Sequence, residues 1–197
     1  LWKHKIVSKI PKESIRILDQ ACGTGILTFK IAHKYPEAWV TGVDITDEYL
    51  EIAKSKAKRI GVSNVELILG KAEDIILHGA IDCITSSYLA KYADLGVLVA
   101  NARTMLREGG RLIIHDFTYP ANKAFARVWE FYFKILQAIG RQFYQEWKTV
   151  FYELPGLIRE TRWIDQLITT LKAERFANIT VEYFTLGTSA IVSAEKA

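Results

Sequence analysis

The chain has 197 residues, half of them hydrophobic, and a net charge of +4. That length suits one domain with a full core. The charge is too mild for a nucleic-acid binder, no basic patch interleaves with aromatics, and no run of 18 apolar residues spans a bilayer. Cys22 and Cys83 stand far apart and neither has a metal-ligand neighbour, which predicts a reduced, cytoplasmic protein without a metal site. Leu1 rather than Met opens the chain, so its start carries no information on targeting.

Residues 1–10 place Leu1, Trp2, Ile6, Val7 and Ile10 among Lys3, Lys5 and Lys9, the spacing of an amphipathic helix that Pro11 stops. Ile15, Ile17 and Leu18 predict a short buried strand ended by Asp19. Gly23-Thr24-Gly25 then turns the chain into the helical run Ile26, Leu27, Phe29, Ile31 and Ala32. A strand, a glycine turn and a helix start form a nucleotide cradle. Glycine lets a ligand approach the backbone, and the free N–H groups of the helix face it. The third glycine of a dinucleotide fingerprint would fall at Thr28, which argues against a nicotinamide or flavin reader.

Residues 38–44 predict a second strand ending in Asp44. Parallel neighbours open onto one crevice, where a carboxylate accepts from both ribose hydroxyls. The alternative is a cap for the next helix, a task that Thr46 or Asp47 can take over. Residues 47–60 predict a helix with Leu50, Ala53, Ala57 and Ile60 inward and Gly61 at its end. Strands follow at 65–69 and 81–87, then a helix at 93–106 and a strand at 111–117 entered from Gly109-Gly110. This alternation predicts an α/β, doubly wound parallel sheet. Residues 179–185 and 188–194, joined at Leu186-Gly187, read as a closing antiparallel hairpin.

Residues 118–178 are rich in aromatics: Phe125, Trp129, Phe131, Tyr132, Phe133, Phe143, Tyr144, Trp147, Phe151, Tyr152 and Trp163. Residues 121–139 have helical spacing with apolar positions nearly all round, so this helix needs two partners. One is the sheet layer. The other is a greasy substrate, a second subunit in a homodimer, or a bilayer surface touched peripherally; the alternative is an aromatic core under a larger cap. Pro155-Gly156 predicts a turn that starts a last helix pair. Arg159, Arg162 and Glu153 either reach polar substrate groups or form a surface salt-bridge cluster. The whole is read as one domain, 1–197, with a helical cap at 118–178.

A strand ending in an acid and followed by x-x-x-Gly-x-Gly resembles the first motif of class I S-adenosylmethionine-dependent methyltransferases. The closing hairpin fits their seven-stranded, Rossmann-like pattern rather than the six-stranded dehydrogenase one. L-D-Q-A-C-G-T-G, G-V-D-I-T, G-K-A-E-D, I-D-C-I-T-S-S-Y, M-L-R-E-G-G-R-L-I-I-H-D-F-T-Y-P and L-G-T-S-A-I-V-S-A-E-K together resemble the ubiquinone/menaquinone biosynthesis C-methyltransferases. The resemblance implies S-adenosyl-L-methionine as cofactor, with Asp19, Ala21, Gly23, Thr24 and Gly25 along its methionine end. It places Asp44 at the ribose, Ile45, Lys71, Ala72 and Glu73 around adenine, and Ser87 on the other side. Lys71 departs from the usual Asp or Asn, because a lysine cannot accept from the adenine amine. Leu89-Ala90-Lys91-Tyr92 replaces the family's Gly-Leu-Arg-Asn, so Lys91 keeps the charge without the planar fork.

Methyl transfer needs an aligned nucleophile and, for phenols, a favoured phenolate. Asp116, Lys91, His115 and Tyr88 are the candidates near the ends of strands four and five; His115 could act as a base near neutral pH. Strand alternation predicts that one of His115 and Asp116 points away into a helix layer. The expected activity is C-methylation of a small apolar aromatic or isoprenoid-bearing acceptor such as a quinone precursor. Alternatives are a small-molecule O- or N-methyltransferase, a nicotinamide-dependent reductase, and a non-catalytic cofactor-binding module.

Overall fold

The structure, a computed structural model, describes residues 2–143 and 148–197, with the side chains of 138–152 left outside the description. Tyr144 and Trp147, and the side chains of Phe143, Phe151 and Tyr152, therefore lie outside the described residues. Seven strands form one sheet: β1 (Arg16–Gln20), β2 (Trp39–Asp44), β3 (Val65–Leu69), β4 (Ile81–Ser87), β5 (Leu106–Phe117), β6 (Phe176–Phe184) and β7 (Ser189–Lys196). Their order is β3-β2-β1-β4-β5-β7-β6. β1 to β5 are mutually parallel, and β7 is antiparallel to both β5 and β6.

Alternation along each strand feeds two helix layers. On one face Ile17, Cys83, Ile113 and Ile191 pack with Ile6, Val7 and Ile10 and with Leu27 and Ile31. Ile6 and Val7 belong to α1 (Trp2–Lys9), Ile10 follows it directly, and Leu27 and Ile31 belong to α2 (Ile26–Lys34). On the other face Leu18, Ile84, Leu112 and Ile114 pack with Leu98, Trp163, Leu167 and Leu171. These come from α4 (Leu95–Met105) and α7 (Trp163–Ala173). Trp163 is wholly buried, and its indole Nε1 donates to the Phe117 carbonyl at 2.8 Å, tying α7 to the end of β5.

Several predicted details shift. In α3 (Asp47–Ile60) Leu50 and Ala53 are buried, but Ile60 in the last turn is half exposed. Gly61 ends it in the left-handed conformation, φ 70°, as expected. β5 starts at Leu106, because the segment before Gly109-Gly110 already pairs with β4 at Ile81. The hairpin is longer than its β-rich core suggests, opening at Phe176. Pro155 does not turn the chain: α6 (Lys148–Glu160) runs through it. Pro155 is buried on the same side as Ile158, so packing offsets the one backbone donor that proline lacks. Only α5 (Lys123–Phe143) and α6 stand apart from the two layers, whereas α7 belongs to the core.

Candidate active site

The carboxyl ends of β1, β2 and β4 meet the turn at residues 21–25. Ala21, Gly23 and Gly25 all have positive φ, at 56°, 53° and 76°. Gly25 starts α2, and a Cβ there would meet the Phe29 ring at 2.4 Å. Gly23 is the opposite case: a Cβ would find nothing within 4 Å, so its backbone faces open space. Thr24 sits half-buried between them.

Asp44 holds this turn. One carboxylate oxygen accepts the Gly23 N–H at 2.7 Å, and the other accepts the Thr46 N–H at 2.9 Å. Thr46 sits at the start of α3 without a side-chain cap bond, so Asp44 itself meets a backbone donor there. Each oxygen keeps a second acceptor site for a ligand hydroxyl. Ala21, Asp44, Ile45, Lys71, Ala72 and Glu73 line one cavity of about 240 Å³. The residue types suit a nucleoside: a carboxylate for a diol and the apolar side chains of Ile45 and Leu89, while Gly23 is not on the lining and joins the cavity only through its bond to Asp44.

Leu89 and Tyr92 complete that wall, and sequence reasoning did not assign them to the cofactor. The one available signal was their position just after β4. Gln20 was also missed. It is buried at the tip of β1, its Nε2 lies 3.4 Å from the Ala72 carbonyl, and its Oε1 has no partner among the described residues. Lys71, half exposed, lies 3.3 Å from Glu73, whose buried carboxylate also accepts the Asp94 N–H at 3.3 Å.

Asp19 is not on the cavity wall. It is fully buried behind the turn, accepting from Thr28 at 2.7 Å and Thr85 at 2.8 Å, and so links β1, α2 and β4. Burial pushes its carboxyl up to about 6, against the opposing effect of the two threonine hydroxyls.

At the ends of β4 and β5, His115 and Asp116 point to opposite faces, and both are wholly buried. Asp116 forms an ion pair with Lys91, their side chains 0% and 1% exposed. It also accepts the backbone N–H of Phe117 at 2.7 Å and of Lys91 at 3.3 Å. Burial pulls the Lys91 ammonium down to about 7. The Phe117 and Tyr92 rings lie 5.4 and 5.7 Å from that nitrogen.

His115 stacks on Trp2 with ring centroids 5.7 Å apart, and meets the edge of Tyr88 at 5.1 Å. Its Nδ1 lies 3.0 Å from the Ser87 hydroxyl, and its Nε2 has no partner among the described residues. Burial, then the charges of Lys91 and Lys3, push the imidazole down to about 4. Its charged form is thus disfavoured, which argues against the near-neutral base that the sequence suggests. Tyr88 is held at φ 69°, and burial raises its phenol to about 12, which makes it a hydrogen-bond donor rather than an anion.

Beyond β5 a larger cavity, about 530 Å³, lies between Tyr119, Asn122, Ile158, Trp163 and Tyr183. At its edge Arg159 pairs with Glu130 at 3.3 Å and Arg162 with Asp165 at 3.3 Å. Both arginines thus form ion pairs, though with Glu130 and Asp165 rather than Glu153, and both also line the cavity. Among the described residues no cluster of three or more His, Cys, Asp or Glu could hold a metal, and the buried thiols of Cys22 and Cys83 are raised by desolvation.

A sheet that closes in the order 5-7-6, with β7 antiparallel to both neighbours, departs from the six-stranded dinucleotide fold. It defines the fold of class I S-adenosylmethionine-dependent methyltransferases. The chain belongs to the ubiE/COQ5 methyltransferase family, whose family model matches residues 1–196. It is 29% identical to the ubiquinone/menaquinone biosynthesis C-methyltransferase UbiE of Geotalea daltonii, covering 99% of this chain and 85% of that protein. It is 30% identical to the demethylmenaquinone methyltransferase of Lactococcus lactis subsp. lactis, covering 73% of this chain but only 59% of that protein. Among solved structures, geranyl diphosphate C-methyltransferase from Streptomyces coelicolor superposes with a TM-score of 0.73 at 12% identity, over all of this chain and 78% of that one. A phosphoethanolamine N-methyltransferase from Haemonchus contortus reaches 0.73 at 14% identity, over 99% of this chain and 52% of that one. These two likenesses concern the fold alone.

Proposed function

We propose that the protein binds S-adenosyl-L-methionine in the cavity beside Asp44 and transfers its methyl group to a carbon of a small apolar aromatic acceptor, a quinone precursor. The observation that carries this is the Asp44–Gly23 bond over an open glycine backbone, in a chain of this family. Bound there, the cofactor would supply an electrophilic methyl group to the ring carbon, and the proton displaced from that carbon would pass to solvent. The free acceptor sites of Asp44 hold the ribose diol. Ile45, Leu89 and Tyr92 enclose the adenine, and Glu73 or the Ala72 carbonyl meets its amine, because Lys71 cannot. Gly23, Thr24 and Gly25 pass the methionine end, and Ser87 bounds it from β4. Asp19 acts behind these residues as a brace.

On the acceptor side, Lys91, held by Asp116 at the end of β5, offers a cation to a developing phenolate. Asp116 positions that ammonium, while Tyr88 and His115 wall the approach. Helices α5 and α6 cover the acceptor as a cap. The protein works in the cytoplasm, peripherally at a membrane, either as a monomer or as a homodimer. The test is incubation with methyl-labelled cofactor and a panel of apolar phenols and quinols. Product carrying the label on ring carbon supports the reading. Label on oxygen or nitrogen alone would replace it with the O- or N-methyltransferase alternative.

A further inference from the structure

α5 carries an apolar surface that the fold leaves uncovered. Its inner side faces the protein: Ala126 is buried, Trp129 and Phe133 meet at 4.4 Å, and Glu130 is taken by Tyr119 and Arg159. Its outer side shows Val128 at 61%, Phe131 at 65%, Tyr132 at 55% and Ile135 at 41% exposure. At 3.6 residues per turn these four fall within an arc of about 100°. Lys123, Arg127 and Lys134, all exposed, fall together along one edge of that arc. The only described carboxylate of the helix, Glu130, is the one turned inward.

We infer that this face docks on an anionic lipid surface, with the Val128-Phe131-Tyr132-Ile135 stripe seated among the acyl chains and the Lys123-Arg127-Lys134 edge at the headgroups. This deepens the peripheral location proposed above by naming the surface that makes it. An apolar arc bordered by cations alone is complementary to a negatively charged, greasy plane. A second copy of the same face would offer those cations no carboxylate, since Glu130 is already taken by Tyr119 and Arg159. The helix lies in the interface rather than across it, since no helix described is long and apolar enough to cross a membrane. α5 follows directly from the exit of β5, so docking would bring the acceptor end of the crevice to the bilayer, where an isoprenoid-bearing acceptor resides.

The experiment is co-sedimentation of the whole chain with vesicles of phosphatidylcholine alone and of phosphatidylcholine mixed with phosphatidylglycerol, at low and high salt. The expected result is at least about tenfold tighter binding to the anionic vesicles, weakened by salt. Phe131→Glu should lower that binding by about tenfold or more, and Lys134→Gln by about fivefold with a shallower salt dependence. Calorimetry with the cofactor shows whether each variant is folded and separates loss of docking from loss of the proposed chemistry. Because Lys134→Gln changes only an exposed cation, the test stands even if Phe131→Glu fails to fold. Equal binding to both kinds of vesicle would overturn the inference, as would variants that bind like the parent. A parent dimer that Phe131→Glu converts to monomers, with vesicle binding unchanged, would also overturn it and assign the stripe to a second copy.

Discussion

Lys91 and Asp116 form an ion pair with both side chains buried, joining the exit of β4 to the end of β5. Two charges removed from water gain stability only through each other and the hydrogen bonds around them. Lys91→Met should therefore cost about 3–5 kcal/mol by urea denaturation, because it leaves the Asp116 charge buried and unmatched. Adding Asp116→Asn, which still accepts the Phe117 N–H, should recover part of that loss. Strictly additive losses in the double-mutant cycle would mean the two side chains do not act as a pair.

Asp19 gives a pH signature. Its folded pKa of about 6 lies above the ordinary 3.8, so the folded protein holds a proton that the unfolded chain has released. The stability this adds is fully present below the unfolded value and is lost as pH rises through 6, an amount of about 3 kcal/mol. Asp19→Asn should abolish that slope between pH 4 and 7 while keeping an acceptor for one threonine. A variant with the same slope as the parent would place the titration elsewhere.

His115 should titrate near 4, not near 6.5, because burial and the neighbouring cations disfavour the imidazolium. An NMR titration of its ring protons reads this directly. The corollary is that activity between pH 6 and 8 does not follow this imidazole, so its pH profile there should persist in His115→Gln. A midpoint for His115 near 6.5 would mean the stack against Trp2 opens to water.

The two glycines of the turn should respond differently. Gly25→Ala sets a Cβ against the Phe29 ring at 2.4 Å in a left-handed backbone, and should destabilise the fold by roughly 1–3 kcal/mol. Gly23→Ala meets nothing within 4 Å, so the fold should lose only the cost of a side chain at φ 53°, about 1–2 kcal/mol. Its methyl group instead intrudes where a ligand would lie. Thermal melts with and without cofactor separate the two: Gly25→Ala should lower both, Gly23→Ala mainly the shift that the cofactor produces.

The cofactor side of this site was legible in the sequence because its signals are local. A strand ending in Asp44 and a turn through Gly23 and Gly25 are read from adjacent residues, and the sheet brings them together at the crevice. Asp19 was legible as an acid but not in its task, since its partners Thr28 and Thr85 come from α2 and β4. The Lys91–Asp116 pair joins residues 25 apart, and no spacing rule announces such a contact. Leu89 escaped notice for the same reason, since it matters only through the cavity it shares with Asp44 and Ile45. Pro155 shows the converse, where a sound local rule met the packing of α6.

The measurement that tests the central claim most directly is calorimetric titration of the protein and of Asp44→Ala with S-adenosylmethionine, its demethylated product and NAD. The account predicts micromolar binding of the first two, none of NAD, and a loss in Asp44→Ala of about 1.5–3 kcal/mol from forfeited charged hydrogen bonds. Binding of NAD in place of the sulfonium, or an Asp44→Ala variant with undiminished affinity, would contradict it.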